Sequence, residues 1–273
     1  MSHSFLDHVR TIEDPRIVGM TSYPLDEILL TVFVGMLCRA KDLDEIEDFC
    51  TMELDWLRRF LPFENGIAPA QTLRRTLARL NPKPLEVAFA KWTASLVERV
   101  QGVIAIDGKT VRGSKENSNG AGALHLVSAW AHEAGLILAQ AAVDKKSNEI
   151  MAIPELLEML DVTGAIVTID AMGTKKVIAA KIIARKADYI LAVKGNQGTL
   201  ADDVRTFFAD PALADACPCH ESLDSGHGRI ERRTIRAADA AWLAARHPDW
   251  TSLASIGLIR KFGAGWPTRL LEA

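Results

Sequence analysis

Two aspartates, Asp107 and Asp170, each end a short apolar segment, in VIAID and AIVTID, and a glycine follows each within three residues. Short apolar segments of this kind predict buried strands, and catalytic groups gather at the strand ends of a sheet that helices cover. Two carboxylates that meet at one edge repel each other unless they share a proton or a cation. Oxygen ligands suit Mg²⁺ or Mn²⁺, and such ions can activate water for phosphodiester cleavage, so the pair predicts that chemistry.

Each aspartate also has a purely structural explanation, because Asp at the end of a strand often caps a turn or the next helix. For either residue alone, that explanation is the better one. For the two together, in this order along the chain, both interpretations stay open at this point.

Basic residues in three segments are candidates for contact with phosphate groups. The first segment, DGKTVRGSKENSNG, follows directly from the first aspartate, the second is the polar turn VKGNQG, and the third is GRIERR. Each also fits an ordinary solvated loop or surface. The candidate DNA-binding residues in these segments are Lys109, Arg112, Lys194, Arg229, Arg232 and Arg233.

Net charge and hydropathy narrow the classes of protein. The net charge of −3 argues against a protein that coats nucleic acid nonspecifically, although a local cluster such as Arg74, Arg75 and Arg79 could still bind DNA. Taken alone, that cluster is better explained as a solvated face. The apolar run from Ile28 to Cys38 is far shorter than the roughly 20 residues of a membrane span, and the N-terminus lacks the apolar region of a signal peptide. We therefore expect a soluble, cytoplasmic protein with no membrane partner.

Helical patterns occupy the chain up to about residue 95 and predict four helices, in YPLDEILLTVFVGMLCRA, LDEIEDFCTMELDWLRRFL, QTLRRTLARL and PLEVAFAKWTASLVERV. Beyond Gly102 the pattern changes to three strands, in VIAIDGK, LHLVSAWAH and LILAQAAV, followed by helix, strand, helix, strand and helix. Three consecutive strands followed by alternating helices predict a mixed α/β sheet covered by helices. The ribonuclease H-like fold has this order of elements.

Four motifs in register make the sequence similar to a known family: IAIDGKTVRGS, KSNEIMAIPELLEMLDVTGAIVTIDAMG, DYILAVKGNQGTL and GHGRIERR. They resemble the insertion-sequence transposases related to the H-repeat-associated proteins, a branch of the DDE superfamily, from about Asp14 to Arg260. The resemblance implies cleavage and joining of DNA by a divalent metal, with Asp107 and Asp170 as catalytic aspartates and metal ligands. It implies DNA, at transposon ends and target, as the partner, and it is compatible with a homodimer in the DNA complex.

The resemblance also implies a division into two domains. Residues 1–98 correspond to a helical transposase-associated domain, and residues 99–273 to the ribonuclease H-like catalytic domain. An insertion in the catalytic domain begins after about residue 196. The third acid of the family lies near the C-terminus in a Trp-x-Ile-Glu-Asn segment, which this sequence lacks. We therefore expect a chain truncated before its final catalytic helix, and Glu231 in GRIERR is the nearest substitute acid.

Three functions follow from these expectations. The leading one is a metal-dependent DNA transposase, with both an active enzyme and a copy inactivated by truncation open at this point. The second is a remnant that binds the element ends without cutting them. The third is a structure-specific nuclease on the same fold, because a fold does not determine a function.

Overall fold

The computed structural model describes residues 4–17, 19–96, 102–111, 123–143, 149–226, 229–263 and 269–272. The chain forms two compact units, Met1–Leu96 and Val97–Ala273. Within the described residues, no helix is both long and apolar enough to cross a membrane.

The first unit is helical, as the sequence predicts, and the four predicted helices are present. The predicted helix over 43–61 is divided in two, because the backbone leaves helical geometry at Glu53 (φ −97°, ψ 16°). A further short helix at the start of the chain was missed. The helices are α1 (Phe5–Val9), α2 (Leu25–Leu37), α3 (Leu43–Met52), α4 (Leu54–Leu57), α5 (Ala70–Leu77) and α6 (Pro82–Leu96).

A buried carboxylate lies in the core of this unit. Glu27, on α2, is only 4% exposed, and its Oε1 accepts a hydrogen bond of 2.6 Å from the backbone N–H of Phe63. Phe63 has a positive φ of 47° and is itself buried, so this bond holds a strained turn in place. The other oxygen, Oε2, is buried without a hydrogen-bond partner among the described residues. Burial raises the pKa of the Glu27 carboxyl above its usual value of 4.5.

We expect the substitution Glu27→Gln to change how stability depends on pH. Because the pKa is raised in the folded chain, the folded state binds more protons than the unfolded state as pH rises above about 4.5. The free energy of unfolding of the wild type therefore falls through that window and stays lower above the folded pKa. Glutamine keeps the acceptor for Phe63 but has no charge to desolvate. Urea unfolding should show that the free energy of unfolding of the variant, relative to that of the wild type, is higher at pH 7 than at pH 4.

Glu13, an exposed acid of the same helical unit, supplies the control, because Glu13→Gln removes a carboxylate that is not buried. Its stability should follow the wild type at both pH values. Parallel pH dependences for the wild type and Glu27→Gln would contradict the prediction.

The second unit begins with a five-stranded mixed sheet in the order β3-β2-β1-β4-β5. Strands β1, β2 and β3 are antiparallel neighbours, whereas β4 is parallel to β1 and β5 is parallel to β4. This topology is ribonuclease H-like and confirms the predicted fold. The elements are β1 (Val103–Thr110), β2 (His125–Ala131), β3 (Leu136–Val143), α7 (Glu149–Met159), β4 (Ile166–Ile169), α8 (Lys176–Ala184), β5 (Asp188–Leu191) and α9 (Thr199–Ala209).

Packing of helices on this sheet explains its apolar strands. Ile104 of β1 and Val167 of β4 are fully buried, as are Leu156 and Leu157 of α7 and Ile182 of α8. Apolar side chains on both the strands and the helices thus form one layer of core between them.

A second sheet of four antiparallel strands, in the order β6-β7-β8-β9, follows in the same unit. The sequence analysis missed these strands, because the charged residues of RIERRTIRAAD hide the alternation that usually indicates a strand. Its elements are α10 (Pro211–Ala216), β6 (Cys219–Gly226), β7 (Arg229–Asp239), α11 (Ala241–Arg246), β8 (Ser255–Gly263) and β9 (Arg269–Glu272).

Candidate active site

Asp107 and Asp170 lie at the same edge of the first sheet. The parallel strands β1 and β4 pair from Val103↔Ile166 to Ile106↔Ile169, and the two aspartates are the next residues in each strand direction. Neighbouring strands are about 4.8 Å apart, so residues at matching positions lie side by side. Both aspartates are exposed. The structure therefore brings together the two acids that the sequence singled out.

The strand predicted over VIAIDGK ends one residue later than expected, at Thr110, so Asp107 lies within β1 and not at its end. The last residues of β1 pair only with β2, as in Thr110↔His125. Only the pairing with β4 stops, after Ile106. Asp107 thus lies within a strand at the point where one of its two neighbours ends, which opens space beside it.

Asp170 has the turn-capping role that the sequence left open, and it uses only one of its carboxylate oxygens for it. Its Oδ1 accepts hydrogen bonds from the backbone N–H groups of Met172, at 3.0 Å, and Gly173, at 3.1 Å, so the residue does cap a turn. Its Oδ2 has no hydrogen bond within the part of the chain that the structure describes, and the side chain is exposed. One oxygen fixes the turn and the other is available to a ligand.

Gly173 permits the close packing of this turn. A Cβ atom at this position would lie 2.4 Å from Cγ2 of Ile169 and 2.8 Å from Cδ1 of Ile153. Both neighbours are buried, so neither has room to move away. The glycine of TIDAMG is therefore required by packing next to the candidate ligand.

The KGNQG segment holds the Asp170 turn from the other side. Asn196 donates from Nδ2 to the carbonyl of Ala171 at 2.9 Å. Gln197 donates from Nε2 to the carbonyls of Ala171 at 3.1 Å and Thr174 at 3.2 Å, and its Oε1 accepts from the backbone N–H of Lys194 at 2.6 Å. Two side-chain amides thus satisfy the carbonyl groups of the turn. The sequence analysis interpreted KGNQG only as a polar turn and missed both residues.

Two of the predicted basic residues lie near the aspartates, and one lies outside the described residues. The Nζ of Lys109 is 3.9 Å from Oδ2 of Asp107, in an exposed ion pair. Lys194 is exposed and precedes the short 3-10 helix Gly195–Gln197, which contacts the Asp170 turn. Arg112 falls outside the described part of the chain.

Glu231 lies on β7 of the second sheet and not at this edge. Arg233 and Lys261 both bind its carboxylate, the latter at 3.3 Å, and the hydrogen bond from Arg233 is the main reason that the pKa of Glu231 is lowered. No cluster of three or more His, Cys, Asp or Glu side chains that could hold a metal occurs among the described residues. Glu231 therefore does not join the two aspartates as a third ligand there.

The arginines of the same strand are also paired. Arg232 binds Glu221 on β6, and its guanidinium lies 6.0 Å from the centre of the Phe262 ring. Arg233 shares Glu231 with Lys261, as described above. Arg229 is the first residue of β7. Arg232 and Arg233 thus belong to a network of ion pairs in which acids neutralise part of the positive charge.

Comparison with known proteins identifies the family. Residues 98–247 match the family model described as "Transposase DDE domain", and residues 6–93 match the model described as "DDE_Tnp_1-associated". The chain belongs to the DDE transposase family.

Named relatives agree with this assignment. A protein described as "Uncharacterized protein in dhlA 3'region" of Xanthobacter autotrophicus is 38% identical over 91% of this chain and 85% of its own length. The H repeat-associated putative transposase YhhI of Escherichia coli K12 is 39% identical over 84% of this chain and 61% of its own length. The putative transposase YncI of Escherichia coli O157:H7 is 44% identical over 72% of this chain. The match spans about half (51%) of the length of this YncI.

The two aspartates fit a divalent metal ion by their chemistry. Both offer hard carboxylate oxygens to solvent, and the free Oδ2 of Asp170 has no competing donor among the described residues. Mg²⁺ and Mn²⁺ prefer such ligands and retain several waters, so two carboxylates suffice to hold an ion that also contacts a phosphate.

Proposed function

We propose that this chain is an insertion-sequence transposase that acts on DNA in the cytoplasm and cuts and joins strands at the ends of its element. The observation that carries the proposal is the adjacency of Asp107 and Asp170 at the edge where β1 and β4 stop pairing, in a chain of the DDE family. A homodimer that holds two element ends is part of the proposal. So is the division into a helical domain over 1–98 and a catalytic domain over 99–273.

In this proposal, Asp107 and Asp170 hold Mg²⁺ or Mn²⁺. When bound, the metal supplies Lewis-acid stabilisation and acidifies water. Asp170 supplies one carboxylate oxygen for binding while its other oxygen keeps the turn fixed. Lys109, which is exposed beside Asp107, is placed to neutralise a phosphate of the bound strand. Asn196 and Gln197 orient the turn that carries Asp170.

DNA cleavage by the purified full chain tests the proposal. The substrate is a DNA fragment that contains the gene and its flanking sequences, and an unrelated fragment of equal length is the control. We expect nicks at defined positions in the flanks with Mn²⁺ or Mg²⁺ and no cleavage with EDTA. Equal cleavage of branched or RNA–DNA hybrid substrates without these flanks would instead support a structure-specific nuclease.

A DNA-binding remnant is the second candidate, and one observation favours it. No third acid joins Asp107 and Asp170 in a cluster among the described residues. A remnant would bind the flanking DNA with the same affinity whether or not Asp170 is replaced by asparagine, and it would never cleave. Binding without cleavage across a range of Mn²⁺ concentrations would therefore overturn the catalytic proposal.

A further inference from the structure

The helical unit contains a groove whose lining combines guanidinium and hydroxyl groups. It is about 420 Å³ in volume and lies between α5 and the segment that leads into α2. Arg75 lies on α5, and Arg79 lies in the turn that follows this helix. The lining of the groove includes the polar residues Arg16, Thr21, Ser22, Thr72, Arg75 and Arg79 beside two apolar side chains.

Arg75 and Arg79 are exposed, and neither has an ion pair or side-chain hydrogen bond within the part of the chain that the structure describes. Two exposed guanidiniums that line the same groove repel each other. Two guanidiniums that pair with no described acid thus concentrate positive charge in a concave surface. An anionic ligand would remove the repulsion.

The other arginines nearby show the contrast. Arg74, the residue next to Arg75, binds Gln71 at 2.9 Å and lies 3.6 Å from Asp44. Arg16 makes two bonds to Asp14, at 2.9 Å and 2.7 Å, and its side chain is only 10% exposed. Acids are thus available in this unit, but they pair with the arginines outside or at the wall of the groove and not with Arg75 and Arg79.

The lining matches the chemistry of phosphate esters. Arginine presents planar donors that suit phosphate oxygens, and serine and threonine hydroxyls are common partners of the same groups. Thr21 and Ser22 are exposed at the groove and offer such hydroxyls. Consecutive phosphates of a DNA strand can use both guanidiniums, and DNA is the partner in the proposed function.

We propose that this groove binds the phosphate backbone of duplex DNA through Arg75 and Arg79. The inference rests on the proposed function in one respect, since it takes DNA as the partner, but it requires neither a metal nor cleavage. It assigns to the helical unit a backbone contact that positions DNA without reading its sequence.

The test measures binding of the full chain to a 30-base-pair duplex in EDTA, by fluorescence anisotropy, over a series of salt concentrations. The double variant Arg75→Ala/Arg79→Ala should reduce the slope of log K against log salt by about 1.8. Each phosphate contact that is lost removes about 0.9 from the slope. At low salt the affinity should fall roughly tenfold or more.

Arg74→Ala is the matched control, because it removes a neighbouring arginine that is already paired. Its slope should equal that of the wild type, and circular dichroism should show the same helix content in all variants. An unchanged slope in the double variant, or an equal loss in Arg74→Ala, would overturn the inference.

The outcomes separate this inference from the proposed function. A reduced slope in a chain that never cleaves DNA would support the groove and contradict the catalytic proposal. Normal cleavage of flanking DNA with an unchanged slope would do the reverse.

Discussion

Replacement of Asp107 or Asp170 by asparagine is expected to lower the rate of Mn²⁺-dependent DNA cleavage by about 1,000-fold or more. Loss of a metal ligand removes several kcal/mol of Lewis-acid stabilisation, and each 1.4 kcal/mol corresponds to about a factor of ten. At position 170, asparagine retains an oxygen that can accept from Met172 and Gly173. The substitution therefore removes the charge and leaves the turn capped.

The measurement is single-turnover cleavage, together with Mn²⁺ binding by calorimetry and DNA binding in EDTA. Binding of Mn²⁺ should weaken in both variants, whereas binding of DNA should persist. Asp188→Asn is the matched control. Asp188 is an exposed aspartate on β5, and it pairs with Ile166 at the end of β4 that is opposite to Asp170. Cleavage by Asp107→Asn at the wild-type rate would rule out the proposed ligand pair.

The double variant Asn196→Ala/Gln197→Ala is expected to lower cleavage by about 10–100-fold. Groups that orient a metal ligand typically contribute this much to metal affinity or activity when they are removed. The variant loses three hydrogen bonds to the carbonyls of Ala171 and Thr174, which hold the Asp170 turn. The turn would then position its carboxylate less well for the metal.

If Asn196 and Gln197 act by positioning Asp170, the double variant should bind Mn²⁺ less well, which a general loss of stability would not explain. The midpoint of the Mn²⁺ titration should move to higher concentration, and excess Mn²⁺ should restore part of the activity. Thr199→Ala, at the exposed start of α9, should leave the midpoint unchanged. A loss of activity with an unchanged midpoint would show that the two amides act only on the fold.

Much of the fold was predictable because its signals are local. The apolar segments before Asp107 and Asp170 predicted buried strands, and the alternation with helices indicated the ribonuclease H-like order. The second sheet was not predictable in this way. On β7, Arg232 looks like part of a basic cluster in the sequence, because its acid partner Glu221 lies on β6 and only the pairing of these two strands brings them together.

The two acids of the candidate site could be predicted from the sequence, but the residues that hold the Asp170 turn in place could not. Short apolar strands ending in aspartate are visible in the sequence, whereas the bonds of Asn196 and Gln197 join residues more than 20 positions apart. Similarly, the extension of β1 to Thr110 depends on pairing with β2, which no local pattern reveals. Long-range hydrogen bonds therefore account for what sequence reasoning missed.

Because the two carboxylate oxygens of Asp170 have different proposed roles, different mutations of this residue should affect a gene copy in different ways. One oxygen caps the turn, and in the proposed function the other holds the metal, so a mutation to asparagine would abolish catalysis while leaving the protein intact. A mutation to alanine removes both and exposes the chain to misfolding and proteolysis. Silenced copies that still fold would thus persist in a cell as competitors for the DNA of their active relatives.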